Sequence, residues 1–190
     1  MKRTNKFAQC YRSLKPLIFI GLLVFFCRTP LLAQEVIWHV KAIHPEGRTI
    51  DVKALDAEGN IYDVKAIRDT GQRQMMDVKA FVRGEKIPVK ILVSNDKYAP
   101  VKAIGSDGTI YDIKALENDL KLDVKGVSRS GNIIHIKAIN PKGEFYGIKA
   151  LSPEGQLNDV KGIKMSAESI EGVINGVEVH AHIKAIPQVE

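Results

Sequence analysis

The chain has 190 residues, of which 45% are hydrophobic and 26% are charged, a composition typical of a soluble protein with one domain or one repeat array. Its formal net charge of +6 does not indicate nucleic-acid binding, because residues 1–33 contain six basic residues and no acidic one. From Gln34 onward, 22 basic residues balance 22 acidic ones, so this part lacks the excess positive charge that nucleic-acid binding requires.

Residues 1–33 have the pattern of a secretory signal peptide. Basic residues precede an apolar run from Leu17 to Phe26, and Ala33 precedes a plausible cleavage point before Gln34. The run has about ten residues, whereas a membrane-spanning helix needs about 20, and an uncleaved signal anchor is the alternative. We therefore expect export to the periplasm or the outside. Residues 34–190 should form a single β-repeat domain that does not span a membrane after cleavage.

Both cysteines, Cys10 and Cys27, lie in the predicted signal peptide. The mature chain therefore has neither disulfide bonds nor thiol chemistry. The residues before Cys27 are too large for a lipidation site, so we do not predict a lipoprotein.

A phrase of about twelve residues recurs from Gln34 to the end of the chain: Val or Ile, then Lys, then usually Ala, then an apolar residue. Its lysines lie at positions 41, 53, 65, 79, 90, 102, 114, 125, 137, 149, 161 and 184. A degenerate copy at 170–173 has Glu171 in the lysine position and would make thirteen units. This internal repeat is the strongest signal in the sequence.

Each unit predicts one β-strand, because β-branched residues alternate with polar ones, as in residues 61–67. The connecting segments end in Gly and favour type I turns with a G1 bulge, and Asn175-Gly176 favours a two-residue hairpin turn. Such turns join antiparallel neighbours. We therefore predict an all-β fold, an antiparallel meander of about thirteen short strands that is rolled or folded over on itself.

The closure of this sheet is left open by the sequence. Thirteen strands would form a strip roughly 60 Å long, and its apolar face must be covered. A simple ring of thirteen strands would enclose a cavity. A trefoil or three-fold prism of about twelve strands is the alternative to the rolled meander. The edge strands near Val36 and Ile183 should either close the array or mediate self-association.

The turns also predict a register in which lysines face aspartates. Counting outward from the turn at 57–59 places Lys53 opposite Asp63, and Lys65 opposite Asp51. The same rule gives three further pairs, Lys41–Asp51, Lys102–Asp112 and Lys149–Asp159. Opposite charges would stabilise this register, because a slip would bring like charges together.

The residues beside each lysine predict the core face. The preceding Val or Ile and the following Ala share one face, and the register places small residues opposite large ones, as in Ala54–Tyr62, Ala103–Tyr111 and Ala138–Tyr146. The alanine is replaced by Gly126, Gly162 and Ile91 in three units.

The Val-Lys-Ala-Ile phrase, with its Pro-x-Gly turns and a signal that ends in Leu31-Leu32-Ala33-Gln34, resembles exported repeat proteins of unknown function from Bacteroidota. The resemblance covers residues 34–190. It implies export and a β-repeat fold, and it supplies no activity, cofactor or catalytic residue.

The lysines could bind an anionic glycan, but interleaved aspartates favour a charge-neutralised sheet face, and we expect no nucleic-acid partner. His39, His135 and His182 occupy the position two residues before the lysine, where Asp is usual. His180 and His182 could share a metal with His39 only if the ends of the array met. A substitution for Asp at a polar position is the simpler interpretation, so we predict no metal and no cofactor.

The acidic residues are spread by the repeat, and neither a phosphate-binding loop nor a nucleophile elbow is present. The sequence therefore favours a non-enzymatic structural or interaction module with no catalytic site, whose partner is an unidentified protein or glycan. The alternative is a glycan- or small-ligand-binding module that uses a cavity or the aromatic residues Trp38, Tyr62, Tyr98, Tyr111 and Tyr146.

Overall fold

A computed structural model describes residues 35–68 and 74–188, and the predicted signal peptide lies outside these ranges. The described chain is all-β, with thirteen strands in one antiparallel sheet, as the repeat predicts. The first seven strands are β1 (Val36–Ile43), β2 (Thr49–Leu55), β3 (Ile61–Arg68), β4 (Met76–Val82), β5 (Glu85–Leu92), β6 (Ala99–Ile104) and β7 (Ile110–Glu117). The others are β8 (Leu120–Ser130), β9 (Ile133–Ile139), β10 (Phe145–Leu151), β11 (Leu157–Ile163), β12 (Gly172–Ile174) and β13 (Val177–Pro187).

The hairpin turns follow the predicted chemistry. Gly59 ends the turn between β2 and β3 with φ of 88°, and its amide donates to the carbonyl of Asp56. Only glycine adopts such a left-handed conformation without steric cost. The Asn175-Gly176 turn also has two positive φ angles, 46° and 83°, and joins β12 to β13 as a two-residue hairpin.

The twelve strands that carry a repeat lysine form four groups, which we call strand triads, and in each triad every strand pairs with the other two. The triads are β1–β2–β3, β4–β5–β13, β6–β7–β8 and β9–β10–β11. A strand uses its first half for one partner and its second half for the other. Each hairpin register is therefore only a few residues long.

A second type of pairing joins the triads, and in it the two repeat lysines lie opposite each other. The six pairs are Lys41–Lys149, Lys53–Lys114, Lys65–Lys79, Lys90–Lys102, Lys125–Lys137 and Lys161–Lys184. Each pair links a different combination of two triads. The pairing thus has the connectivity of a tetrahedron, with triads as vertices and lysine pairs as edges.

The inner face of this closed array is the predicted Val/Ala face. One Val or Ile from each repeat lines a single central void of about 10 Å³, which is enough for at most one water molecule. These residues are Val40, Val52, Val64, Val78, Val89, Val101, Ile113, Val124, Ile136, Ile148, Val160 and Ile183. Since strands from all four triads meet at this point, the core is solid.

The predicted small-opposite-large packing is confirmed. Ala54 is fully buried opposite Tyr62, and the two other predicted pairs have the same relation. The exceptional Ile91 lies opposite the small Ala181, so the sizes are exchanged there.

Two details of the sequence prediction are wrong. Lys65 does not lie opposite Asp51, because β2 and β3 separate after three residue pairs, and Lys65 faces His39 and Lys79 instead. The segment around Glu171 is not a thirteenth copy of the array. It contributes the short strand β12, which pairs with β13 alone.

The pairing also shows how the ends of the array are accommodated. β1 pairs with β2, β3 and β10, and β13 pairs with β4, β5, β11 and β12. The first and last repeat strands are thus incorporated into the closed array. Of the two expectations for the edge strands, closure is the one observed here.

Candidate functional site: the lysine surface

The outer face carries the twelve repeat lysines, which lie at the middle of their strands because side chains alternate between the two faces. Their side chains are partly exposed, as for Lys53 at 25% and Lys65 at 17%. The aliphatic stems lie along the sheet, and the ammonium groups reach neighbouring strands. This lysine surface is the main chemical feature outside the core.

Six of the repeat lysines form an ion pair with an aspartate on a neighbouring strand of their own triad. Lys53 Nζ lies 2.5 Å from an Asp63 carboxylate oxygen. The equivalent ion pairs are Lys41–Asp51, Lys102–Asp112, Lys114–Asp123, Lys149–Asp159 and Lys184–Asp77. The predicted pairs of Lys41, Lys53, Lys102 and Lys149 are thus confirmed. These carboxylates offset the repulsion that lysines facing each other would otherwise cause.

Contact with lysine lowers the pKa of several of these aspartates. The hydrogen bond from Lys41 holds the pKa of Asp51 below its usual value, and Lys53 does the same for Asp63. Burial opposes this effect at Asp123, but the hydrogen bond from Lys114 and nearby ammonium groups still lower its pKa. These aspartates are therefore charged at neutral pH and hold the lysines in register.

Histidine replaces aspartate at three of these positions, as the sequence indicates. His39 Nδ1 lies 2.9 Å from Lys65 Nζ, His182 Nδ1 lies 2.6 Å from Lys90 Nζ, and His135 Nδ1 lies 3.3 Å from Lys161 Nζ. Burial lowers the pKa of all three histidines, and the facing lysine lowers it further. A neutral imidazole can accept a hydrogen bond from an ammonium group, which an imidazolium cannot.

At three of the twelve positions that face a repeat lysine within a triad, the residue has no polar side chain. Lys79 faces Pro88, Lys125 faces Pro100, and Lys137 faces Gly147. Lys79 is paired with Lys65, which has Asp63 at 3.2 Å. Within residues 35–68 and 74–188, Lys125–Lys137 is the one lysine pair in which neither ammonium has a carboxylate oxygen within 4 Å.

The sequence contains a signal for this exception, and the register of the hairpin turns detects part of it. The residue two positions before each lysine supplies the partner for another lysine of the triad. Reading that position along the chain finds Pro88, Pro100 and Gly147. The hairpin registers of β4–β5 and β9–β10 assign Pro88 to Lys79 and Gly147 to Lys137, whereas assigning Pro100 to Lys125 requires the pairing of β6 with β8, which the sequence does not reveal.

The remaining histidines do not converge on a metal site. His180 Nδ1 lies 2.7 Å from the carbonyl of Ser169, and the ring of His44 packs against Tyr146. In the part of the chain that the structure describes, no group of three or more His, Cys, Asp or Glu side chains is arranged to hold a metal ion. His39 lies with Lys65 rather than with His180 and His182.

A buried ion pair holds the irregular segment that precedes β12. The side chain of Lys164 is fully buried and donates to the carbonyls of Glu168 and His180 at 2.5 and 3.1 Å. Its Nζ lies 3.8 Å from Glu171 Oε1, which also accepts from the amides of Met165 and Ser166. Glu171 occupies the lysine position of the degenerate repeat copy, but its side chain stabilises this segment instead of joining the lysine surface.

The five aromatic residues named as ligand candidates do not lie together, although the rings of Tyr62 and Tyr111 meet edge to face with centroids 5.8 Å apart. Trp38, Tyr111 and Tyr146 belong to the core. The hydroxyl of Tyr62 donates to Asp56 at 2.9 Å. Tyr98 is partly exposed, and its ring meets that of Phe145 edge to face with centroids 5.8 Å apart. The aromatic residues therefore form no common binding surface.

Comparison with known proteins places the chain in a family. The model of a family of unknown function, DUF7486, matches residues 34–186, which is nearly the whole chain after the predicted signal peptide. The chain belongs to this family. No curated protein matches it, and no solved structure does. Within the described residues, no helix has the length and hydrophobicity needed to cross a bilayer.

Proposed function

We propose that this chain is an exported, non-enzymatic β-repeat protein that acts as a structural or interaction module at the cell envelope or outside the cell. The observation that carries the proposal is the closed, solid array. Its central void of about 10 Å³ cannot hold a substrate, so recognition must occur on the outer surface.

The chemistry of the described surface supports a role without catalysis. Its lysines are distributed by the repeat, and most are held by carboxylates or neutral imidazoles. An ammonium group that donates to a carboxylate has no lone pair for nucleophilic attack or proton abstraction, so the ion-paired lysines give no support for catalysis. A rigid scaffold without disulfides, closed by strand pairing, suits a module that must persist outside the cell.

Export is tested by the N-terminus of the mature protein. Full-length protein with a C-terminal tag should appear in the periplasm or medium, with Gln34 as its first residue by mass spectrometry. The matched control Leu22→Arg interrupts the apolar run and should leave the full-length chain inside the cell. Recovery of unprocessed wild-type protein in the cytoplasm would contradict the proposal.

A second candidate function is a glycan- or small-ligand-binding module. The observation that favours it is the exposed aromatic contact between Tyr98 and Phe145, of which Phe145 is 45% exposed. Exposed aromatic rings commonly mark binding surfaces. A glycan array and a thermal-shift ligand screen on residues 34–190 test it, and a reproducible ligand would support this candidate over a purely structural role.

A further inference from the structure

The pair Lys125–Lys137 differs from the five other lysine pairs of the same molecule. Each of those five has at least one carboxylate oxygen within 4 Å of an ammonium nitrogen, as at Lys53 with Asp63. Lys125 and Lys137 face Pro100 and Gly147, which offer no side-chain acceptor. On the described surface, these two lysines therefore lie opposite each other with no carboxylate oxygen within 4 Å of either ammonium nitrogen.

The neighbouring groups compensate for this charge only in part. Asp123, two residues before Lys125, is hydrogen-bonded to Lys114, and the charge of Lys125 makes a smaller contribution to the lowering of its pKa. His135, two residues before Lys137, is kept neutral by burial and by Lys161 and Lys137, which all lower its pKa. The nearest polar groups on both strands are therefore either hydrogen-bonded to another lysine or uncharged. Lys125 and Lys137 can thus form ion pairs with an anion from solution.

The space beside these lysines is open. A recess of about 20 Å³ lies between Pro100 and Lys125, and it is also lined by the ion pairs Lys102–Asp112 and Lys114–Asp123. At Gly147, the nearest atom that an added Cβ would meet is Lys137 Nζ at 3.9 Å. The recess holds about one water molecule, so a larger anion must bind at the surface and contact the lysines from outside.

An aromatic contact comes from the two strands that flank the pair. Tyr98 immediately precedes the segment of β6 that pairs with Gly126 and Lys125, and Phe145 begins β10, which pairs with β9. Their rings meet with centroids 5.8 Å apart. Sugar rings stack their C–H faces on aromatic side chains, whereas their carboxylate or sulfate groups pair with ammonium groups.

We propose that Lys125 and Lys137, with Tyr98 and Phe145, form a binding site for an acidic sugar unit of a glycan. The inference rests on the proposed interaction role and specifies the ligand class. The lysines bind the carboxylate or sulfate, and the aromatic rings contact the sugar face. Because the other lysine pairs already contain acids, the binding is confined to this one of six related positions.

The test uses residues 34–190 titrated with an oligogalacturonate, a sulfated dextran oligosaccharide, neutral maltohexaose and single-stranded DNA. Both acidic oligosaccharides should bind and shift the NMR signals of Lys125, Lys137, Tyr98 and Phe145, and maltohexaose should not. The acidic probe that binds more tightly identifies whether the site prefers a carboxylate or a sulfate. Binding should weaken as salt increases, because the contacts are exposed charges.

The decisive variant is Gly147→Asp, which supplies the missing acid and leaves both lysines in place. It should weaken acidic-glycan binding by about tenfold or more, the expected loss of a charged contact. Lys53→Ala changes the net charge by the same amount at an acid-paired position and should leave binding within about twofold.

Several outcomes would overturn the site. They are equal weakening by Lys53→Ala, equal binding of maltohexaose, tighter binding of DNA than of either acidic glycan, and no binding by any probe. Export is measured separately through the mature N-terminus. Failure of this site therefore leaves the proposed location and module role standing.

Discussion

Ile91 occupies the space that a side chain at Gly162 would need. A Cβ added to Gly162 would overlap Cδ1 of Ile91 and come within 3.0 Å of Ile134 Cβ. Gly126 is also close, since its added Cβ would lie 3.5 Å from Ile91 Cδ1. Three positions that follow a repeat lysine thus meet here, and one isoleucine with two glycines replaces the usual alanines.

This relation predicts a strong coupling between two substitutions. Gly162→Ala should cost about 1–3 kcal/mol through overpacking, and Ile91→Ala should cost about 2–5 kcal/mol through the cavity it leaves. The double variant restores an alanine at both positions and should cost less than the sum. Urea unfolding of the four proteins gives the coupling, and simple additivity would contradict direct contact.

The two faces of β2 predict opposite sensitivities. Ala54 is fully buried opposite Tyr62, so Ala54→Leu should overpack and cost about 1–3 kcal/mol. Lys53 is partly exposed in an ion pair with Asp63, so Lys53→Ala should cost less than about 1 kcal/mol. Urea unfolding of both variants compares them directly. A larger cost for Lys53→Ala would mean that the lysine has a role beyond a surface ion pair.

The three histidines predict a loss of stability in weak acid. Their pKa values are lowered in the folded protein, whereas in the unfolded chain a histidine titrates near about 6.5. Below that pH the unfolded chain binds more protons, so the free energy of unfolding should fall as the pH decreases from about 7. Urea unfolding at several pH values measures this slope.

The variant His135→Asp measures the contribution of His135 to this pH dependence of the free energy of unfolding. His135 faces Lys161, and Lys137 and Asp159 lie nearby. In His135→Asp the usual acid of the repeat takes this position and stays charged at about pH 5.5. The variant should therefore lose less stability than the wild type between about pH 7.5 and 5.5. An unchanged slope would show that His135 does not contribute.

The aspartates predict a second acid step. Lysine contacts lower the pKa of Asp51 and Asp63, so their stabilising effect is complete above about pH 4, where the unfolded groups are charged. It is lost as the pH falls through their folded pKa values. Asp63→Asn should reduce the loss of stability below about pH 4, and it should leave the slope above about pH 5 unchanged. Urea unfolding of this variant across the acid range measures both effects.

The buried pair Lys164–Glu171 predicts a cost that depends on which partner is removed. Lys164→Met leaves a buried carboxylate without its cation and should cost about 3–5 kcal/mol. Adding Glu171→Gln removes the unpaired charge and should recover part of this loss. Hydrogen exchange of residues 164–176 would locate the effect. Full protection of this segment in Lys164→Met would contradict a structural role for the pair.

Local features of the fold follow from the sequence. The alternation of Val, Lys and Ala determines which side chains face inward, and the turn glycines determine the hairpin registers. Lys53 opposite Asp63 and Ala54 opposite Tyr62 are therefore predictable. These relations involve residues within one hairpin, where turn geometry leaves a single register.

Only the tertiary structure shows which strand pairs with each edge that is not already paired in a hairpin. All repeats present nearly the same residues, so the sequence does not distinguish His39 from Asp51 as the neighbour of Lys65 on the edge that faces β2, nor identify Lys79 as its neighbour on the other edge. That choice depends on bringing twelve strands around one solid core, with every edge paired. The β9–β10 hairpin already places Gly147 opposite Lys137, but the lack of an acid beside Lys125 follows from the closure, since Pro100 becomes its neighbour only when β6 pairs with β8.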